Sequence, residues 1–218
     1  MPHTAPTPAP PTSPGPPAAD KRSALLAAAL RLIARSGLHD APTSAVAREA
    51  GVAAGTLYLY FPSKEALINA LYLELLGDQH RALTKDVDGA ADGVADDAAD
   101  DADPRELLWR SWLGLARWHL DHPEASNVMQ QCRGSGILTA ETRAIEQQAR
   151  IEGLARFDDG IARGVLRDLP SRVFWALYAG PILALVERPP DGVDATVSDA
   201  MLRATFEGVC RGVLPGPG

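Results

Sequence analysis

Apolar residues recur at three- and four-residue intervals along most of this 218-residue chain. That spacing belongs to helices with one buried face. Asp20 can N-cap a first helix whose stripe is Leu26, Ala29, Leu30 and Ile33, and Gly37 follows as its ending residue. Pro42-Thr43 opens a second helix, with Thr43 as N-cap, Val46, Ala47 and Ala50 facing inward, and Gly51 at its end. A third, very short helix is predicted from about Ala54 to Tyr60. Phe61-Pro62 stops it, because proline disfavours a helical residue before it. Ser63 then caps a fourth helix, with Leu67, Ile68, Leu71, Leu75 and Leu76 on one side.

The second half reads the same way. Pro104 starts a helix carrying Leu108, Trp112, Leu115, Ala116 and His119, and Pro123 breaks it. A long helix is predicted over about 139–163 with Thr139 as cap, and another from Pro170-Ser171 through Glu187, closed by Pro189-Pro190. A last helix covers about 194–213. No stretch alternates with period two between turn signals, so the predicted fold class is all-α.

Two segments lie outside this pattern. Residues 1–19 are rich in Pro and Ala and are predicted to be a disordered tail. Residues 86–103 hold eight aspartates with Gly89 and Gly93, and read as a solvated acidic linker. They leave a small N-terminal domain over 20–78 and a larger C-terminal domain over 104–214.

Composition narrows the class. Hydrophobic residues make up 46% and charged residues 22%, as in soluble globular proteins. No apolar run reaches the roughly 18 residues of a membrane span. The N-terminus lacks the basic and apolar regions of a signal peptide, so a cytoplasmic location is expected. Cys132 and Cys210 are expected to be free, buried thiols. A net charge of −7 argues against a nucleic-acid partner, but its distribution argues for one. Residues 21–85 carry eight Lys and Arg against five Asp and Glu, whereas residues 86–218 carry 13 against 22. The N-terminal third is the part suited to face phosphate.

The informative segment is TSAVAREAGVAAGTLYLYFPSKEAL, residues 43–67. Gly51 permits a tight turn at positive φ, and small Ala47, Ala50 and Val52 let two short helices cross closely. That is a helix-turn-helix, whose second helix enters the major groove of DNA. This second helix presents Thr56, Tyr58 and Tyr60 outward and returns Leu57 and Phe61 to the core. Lys64, at the start of the next helix, is placed to meet a phosphate. Ala53, Ala54 and Gly55 offer at most apolar contact to a thymine methyl. Lys21 and Arg22 read equally well as a phosphate-contacting arm or as a solvated helix start.

The run Thr43, Val46-Ala47, Ala50-Gly51-Val52, Gly55-Thr56-Leu57-Tyr58, Tyr60-Phe61 and Ser63-Lys64-Glu65-Ala66-Leu67 closely resembles the TetR (tetracycline-repressor-like) family, over roughly residues 21–77. The resemblance implies a DNA-binding transcriptional regulator, typically a ligand-released repressor on a pseudo-palindromic operator. It implies that Thr43, Thr56, Tyr60 and Lys64 hold the sugar-phosphate backbone and that Ser44, Ala54, Gly55 and Tyr58 face base edges. It further implies a homodimer, in which the stretches 171–187 and 194–213 pair with their twins as a four-helix bundle.

The remaining candidates concern an effector. Trp112, Ala116 and His119 share one helix face, Met129 and Cys132 follow, and Phe157, Trp175 and Tyr178 lie on later helices. Converging without filling the space, they would enclose an apolar cavity for a small hydrophobic effector with one polar or acidic group, met by His119. Converging fully, they are simply core. His119 and His122 flank Asp121 without a third ligand at metal-binding spacing, and a helix C-terminus suits a histidine cation. No metal, cofactor or catalytic residue is expected. The competing class, an enzyme carrying an incidental helix-turn-helix, lacks a nucleophile elbow or a phosphate-cradling glycine loop.

Overall fold

A computed structural model describes residues 18–88, 103–155, 157–187 and 196–215. Among these the chain forms helices and no strands: α1 (Ala18–Ser36), α2 (Thr43–Glu49), α3 (Ala54–Tyr60), α4 (Lys64–Asp88), α5 (Pro104–Asp121), α6 (Pro123–Ser135), α7 (Ala140–Ala155), α8 (Asp158–Ala162), α9 (Ser171–Val186) and α10 (Asp199–Val213). The tail through residue 17 and most of the acidic stretch lie outside the described residues.

Several boundaries differ from the sequence reading. The first helix starts at Ala18, so Asp20 lies in its first turn rather than at its cap. Pro42, not Thr43, is the N-cap of α2, and Thr43 is already helical. Pro123 does more than break α5. It occupies the first turn of α6, where its missing N–H costs nothing. The single helix expected over 139–163 is two, α7 and α8. Helix α4 continues well past residue 78 and through 86–88, the first residues of the acidic stretch.

That length organises the molecule. The 25 residues of α4 span about 37 Å at 1.5 Å per residue, enough to serve two cores. The first core joins Leu26, Ile33, Val46, Leu57, Phe61, Ile68 and Leu71 with Val128, Met129 and Cys132 of α6. The second joins Leu83 of α4 with Leu108, Trp112, Phe174, Tyr178, Leu202 and Phe206. Where α4 and α5 cross, a Cβ on Gly114 would collide with the Ala82 carbonyl oxygen, so glycine is what lets the two backbones touch.

Candidate nucleic-acid interface and internal cavity

Helices α2 and α3 are set by their turn. Gly51 adopts φ +70°, and Val52 N–H donates to the Ala47 carbonyl at 2.9 Å. Phe61 is extended and ends α3. Ser63 Oγ accepts from Ala66 N–H at 3.0 Å, capping α4 as its sequence suggested. Arg31 Nε and Arg35 Nη2 both donate to the Glu49 carboxylate, at 2.9 and 2.7 Å, and clamp α1 to the end of α2. The bonds from Arg35 and then Arg31 hold that carboxyl below its usual range. Both arginines are therefore engaged within the protein.

At 100° per residue, the inner side of α3 is marked by Leu57, fully buried. Ala54, Gly55, Tyr58 and Leu59 are exposed, Thr56 and Tyr60 half-buried. Tyr60 packs its ring against the core, so it points outward less than expected. Ser44 on α2 is exposed and Thr43 half-buried. The Thr43 Oγ1 and Tyr58 hydroxyl are 3.0 Å apart. Lys64 is half-buried and its Nζ donates to the His39 carbonyl at 3.0 Å. Two of its three donors remain open. Arg22 pairs with Glu74 at 3.3 Å and lies over the Phe61 ring, so it is tied to the domain. Leu59, 84% exposed, was missed by sequence reasoning. Its only signal was its place two residues after Leu57, 200° round the helix.

The second site is a cavity of about 320 Å³ between α4, α5, α6, α7 and α9. Its apolar wall includes Leu76, Leu83, Leu115, Trp175, Ala179 and Leu183. Its polar wall is Gln79, His80, His119, Arg133, Glu146, Arg150 and Arg172. Of the effector residues expected from sequence, His119 and Trp175 line it. Trp112, Ala116 and Tyr178 are buried in the second core, where Trp112 Nε1 donates to the Tyr178 carbonyl at 2.9 Å. Met129 belongs to the first core. Phe157 packs on Phe174 and Tyr178. These five fill space rather than enclose it.

His119 is not the cation expected of a helix C-terminus. It is 2% exposed, and burial, with Arg133 adding to it, pushes its pKa down to about 4. Gln79 Nε2 donates to its Nε2 at 2.9 Å, and Nδ1–H donates to Ser126 Oγ at 2.8 Å. No local pattern in the chain marks the charged wall. Arg133 Nε donates to the Tyr72 hydroxyl and to Glu146 Oε1, each at 2.9 Å. Arg150 Nη2 donates to the same oxygen at 3.0 Å. Burial works against the Glu146 charge, but Arg133 foremost, with Tyr72 and Arg150, holds its carboxyl below the usual range. Among the described residues no cluster of three or more His, Cys, Asp or Glu is disposed to hold a metal, and no helix is long and apolar enough to cross a membrane.

Helices α2 and α3 thus form a helix-turn-helix on an all-helical body that holds a cavity. Residues 25–71 match the family of bacterial regulatory proteins, tetR family. The chain is 38% identical over 63 residues to the fatty acid metabolism regulator protein of Bacillus subtilis, covering 29% of this chain and 32% of that one. It is 41% identical over 64 residues to the HTH-type transcriptional regulator UidR of Escherichia coli K12, covering 29% and 31%. The match thus spans about a third of the length of these curated relatives. The likeness extends further in structure. A TetR family transcription regulator from Marinobacter aquaeolei VT8 superposes with a TM-score of 0.75 at 26% identity, covering 90% of this chain and 96% of that one.

Proposed function

We propose that this chain is a homodimeric, sequence-specific DNA-binding regulator of transcription, a cytoplasmic repressor released from a pseudo-palindromic operator by a small molecule. The observation that carries this reading is the outer face of α3. It has no charged side chain, it exposes Ala54, Gly55, Tyr58 and Leu59, and hydroxyls border it. Ser44, Ala54, Gly55 and Tyr58 face base edges in this reading, with Leu59 beside them as an apolar contact for thymine methyls. Thr43, Thr56, Tyr60 and the open donors of Lys64 take the phosphates.

The dimer is supported by α9 and α10. Val173, Leu177 and Met201 are exposed there, and at Gly180 and Gly208 the space a Cβ would fill is open. Such a face suits a second copy of the same helices. Residues 20–78 then act as the DNA-binding unit and 104–214 as the effector-binding and dimerisation unit, with α4 shared between them.

Coupling runs through α6. Gln131 Oε1 accepts from Leu38 N–H at 3.0 Å, in the segment between α1 and α2, and Arg133 two residues on lines the cavity. An occupant that prefers one position of α6 shifts the helix-turn-helix by its differential affinity for the two states. A band-shift assay with DNA from upstream of the gene tests the reading. A retarded band that scrambled DNA does not compete away is expected, and equal retardation of both DNAs contradicts it.

A further inference from the structure

We infer that the cavity's occupant is a small amphiphilic anion, its apolar body lying along α4, α5 and α9 and its carboxylate or similar head held by Arg133 and Arg172. This rests on the reading of the chain as a ligand-responsive regulator.

Three guanidinium groups, Arg133, Arg150 and Arg172, and one carboxylate, Glu146, line the cavity. The Glu146 charge is already offset within the wall, because its Oε1 accepts from both Arg133 Nε and Arg150 Nη2. His119 is not open to a head group. Both of its ring nitrogens are bonded, to Gln79 and Ser126. What remains is Arg133. Its Nη1 and Nη2 have no hydrogen-bond partner among the described residues, although the side chain is only 26% exposed. Arg172, at the start of α9, carries no ion pair among the described residues.

A guanidinium with its planar fork free, in a partly desolvated wall, suits a two-oxygen anion. The positive excess disfavours a cation, and a neutral ligand would leave that excess uncompensated. The same cavity is lined by Leu76, Leu83, Leu115, Trp175 and Leu183, which suit an alkyl or aryl body. The two chemistries line one cavity, which is what an amphiphile needs.

The test is calorimetric titration of the full-length protein with decanoate, 1-decanol and decylammonium. Decanoate is expected to bind at least tenfold more tightly than 1-decanol, and decylammonium more weakly than either. Arg133→Met is expected to weaken decanoate at least tenfold and change 1-decanol less than twofold. That variant leaves Glu146 short of a partner, so Arg133→Met/Glu146→Gln, which removes both charges, keeps the test open should the single variant fail to fold. Equal binding of the three compounds overturns the head-group assignment. Binding by none overturns the occupant altogether. A decanoate preference that survives in the double variant overturns the role of Arg133. The same preparations are assayed for operator binding. Retained operator binding confines any failure to this inference, and its absence in the wild type counts against the regulator reading itself.

Discussion

The Tyr58 hydroxyl on α3 and Thr43 Oγ1 at the start of α2 lie 3.0 Å apart. Two residues expected at the DNA therefore hold each other across the helix-turn-helix before any DNA is present. The pair is at the surface, so its net contribution to folding is small. Its consequence is order: the Tyr58 ring is placed at one position on the outer face of α3.

Tyr58→Phe and Thr43→Val should each weaken operator binding, and the double variant should be weaker by less than the sum. A coupling of about 0.5–1.5 kcal/mol is expected from a double-mutant cycle read by fluorescence anisotropy. Additive losses would mean that the two side chains act at the DNA independently.

Lys64 presents a different signature. Its ammonium is anchored on the His39 carbonyl at the N-terminus of α4, where a phosphate is favoured. Lys64→Ala should weaken binding to operator and scrambled DNA alike and lower the salt dependence of log K by about one unit. A loss confined to operator, with the salt slope unchanged, would remove Lys64 from the phosphate contacts.

His119 ties stability to pH. Its folded pKa of about 4 lies below the ordinary 6.5, so in mild acid the unfolded chain binds a proton that the folded chain does not. Stability is lost as pH falls from about 6.5 to about 4, by up to about 3 kcal/mol. Below that window both states are protonated and the loss stops. Urea unfolding of wild type and His119→Gln should show a difference that grows across this range in the wild type's disfavour. A difference constant with pH would contradict the neutral, buried ring.

The exposed apolar face of α9 and α10 predicts the oligomer. Leu177→Glu should convert a dimer to a monomer in sedimentation at micromolar concentration, while leaving the helical content unchanged. Wild-type protein that sediments as a monomer would remove the dimer from the account.

Most of the helix-turn-helix was legible in the sequence because local chemistry fixes it. Gly51 makes the turn, Pro62 ends α3 and Ser63 caps α4, and each acts within a few residues. Helix α6 was not legible, because Pro123 serves the first turn of a new helix as readily as it ends an old one. The lining of the cavity was not legible for a related reason. Aromatic residues at helical spacing look alike whether they enclose space or fill it, and Trp112 and Tyr178 fill it. The charged wall depends on Arg133 meeting Tyr72 and Glu146, 61 and 13 residues away, which no local pattern encodes.

Hydroxyl-radical footprinting of the full-length protein on its upstream DNA tests the central claim most directly. Two protected half-sites related by a pseudo-twofold, with centres about 34–36 Å apart along the helix axis or a multiple of that, are the predicted result. A single protected site, or uniform protection that follows the protein along any sequence, would contradict a dimer that reads DNA through α3.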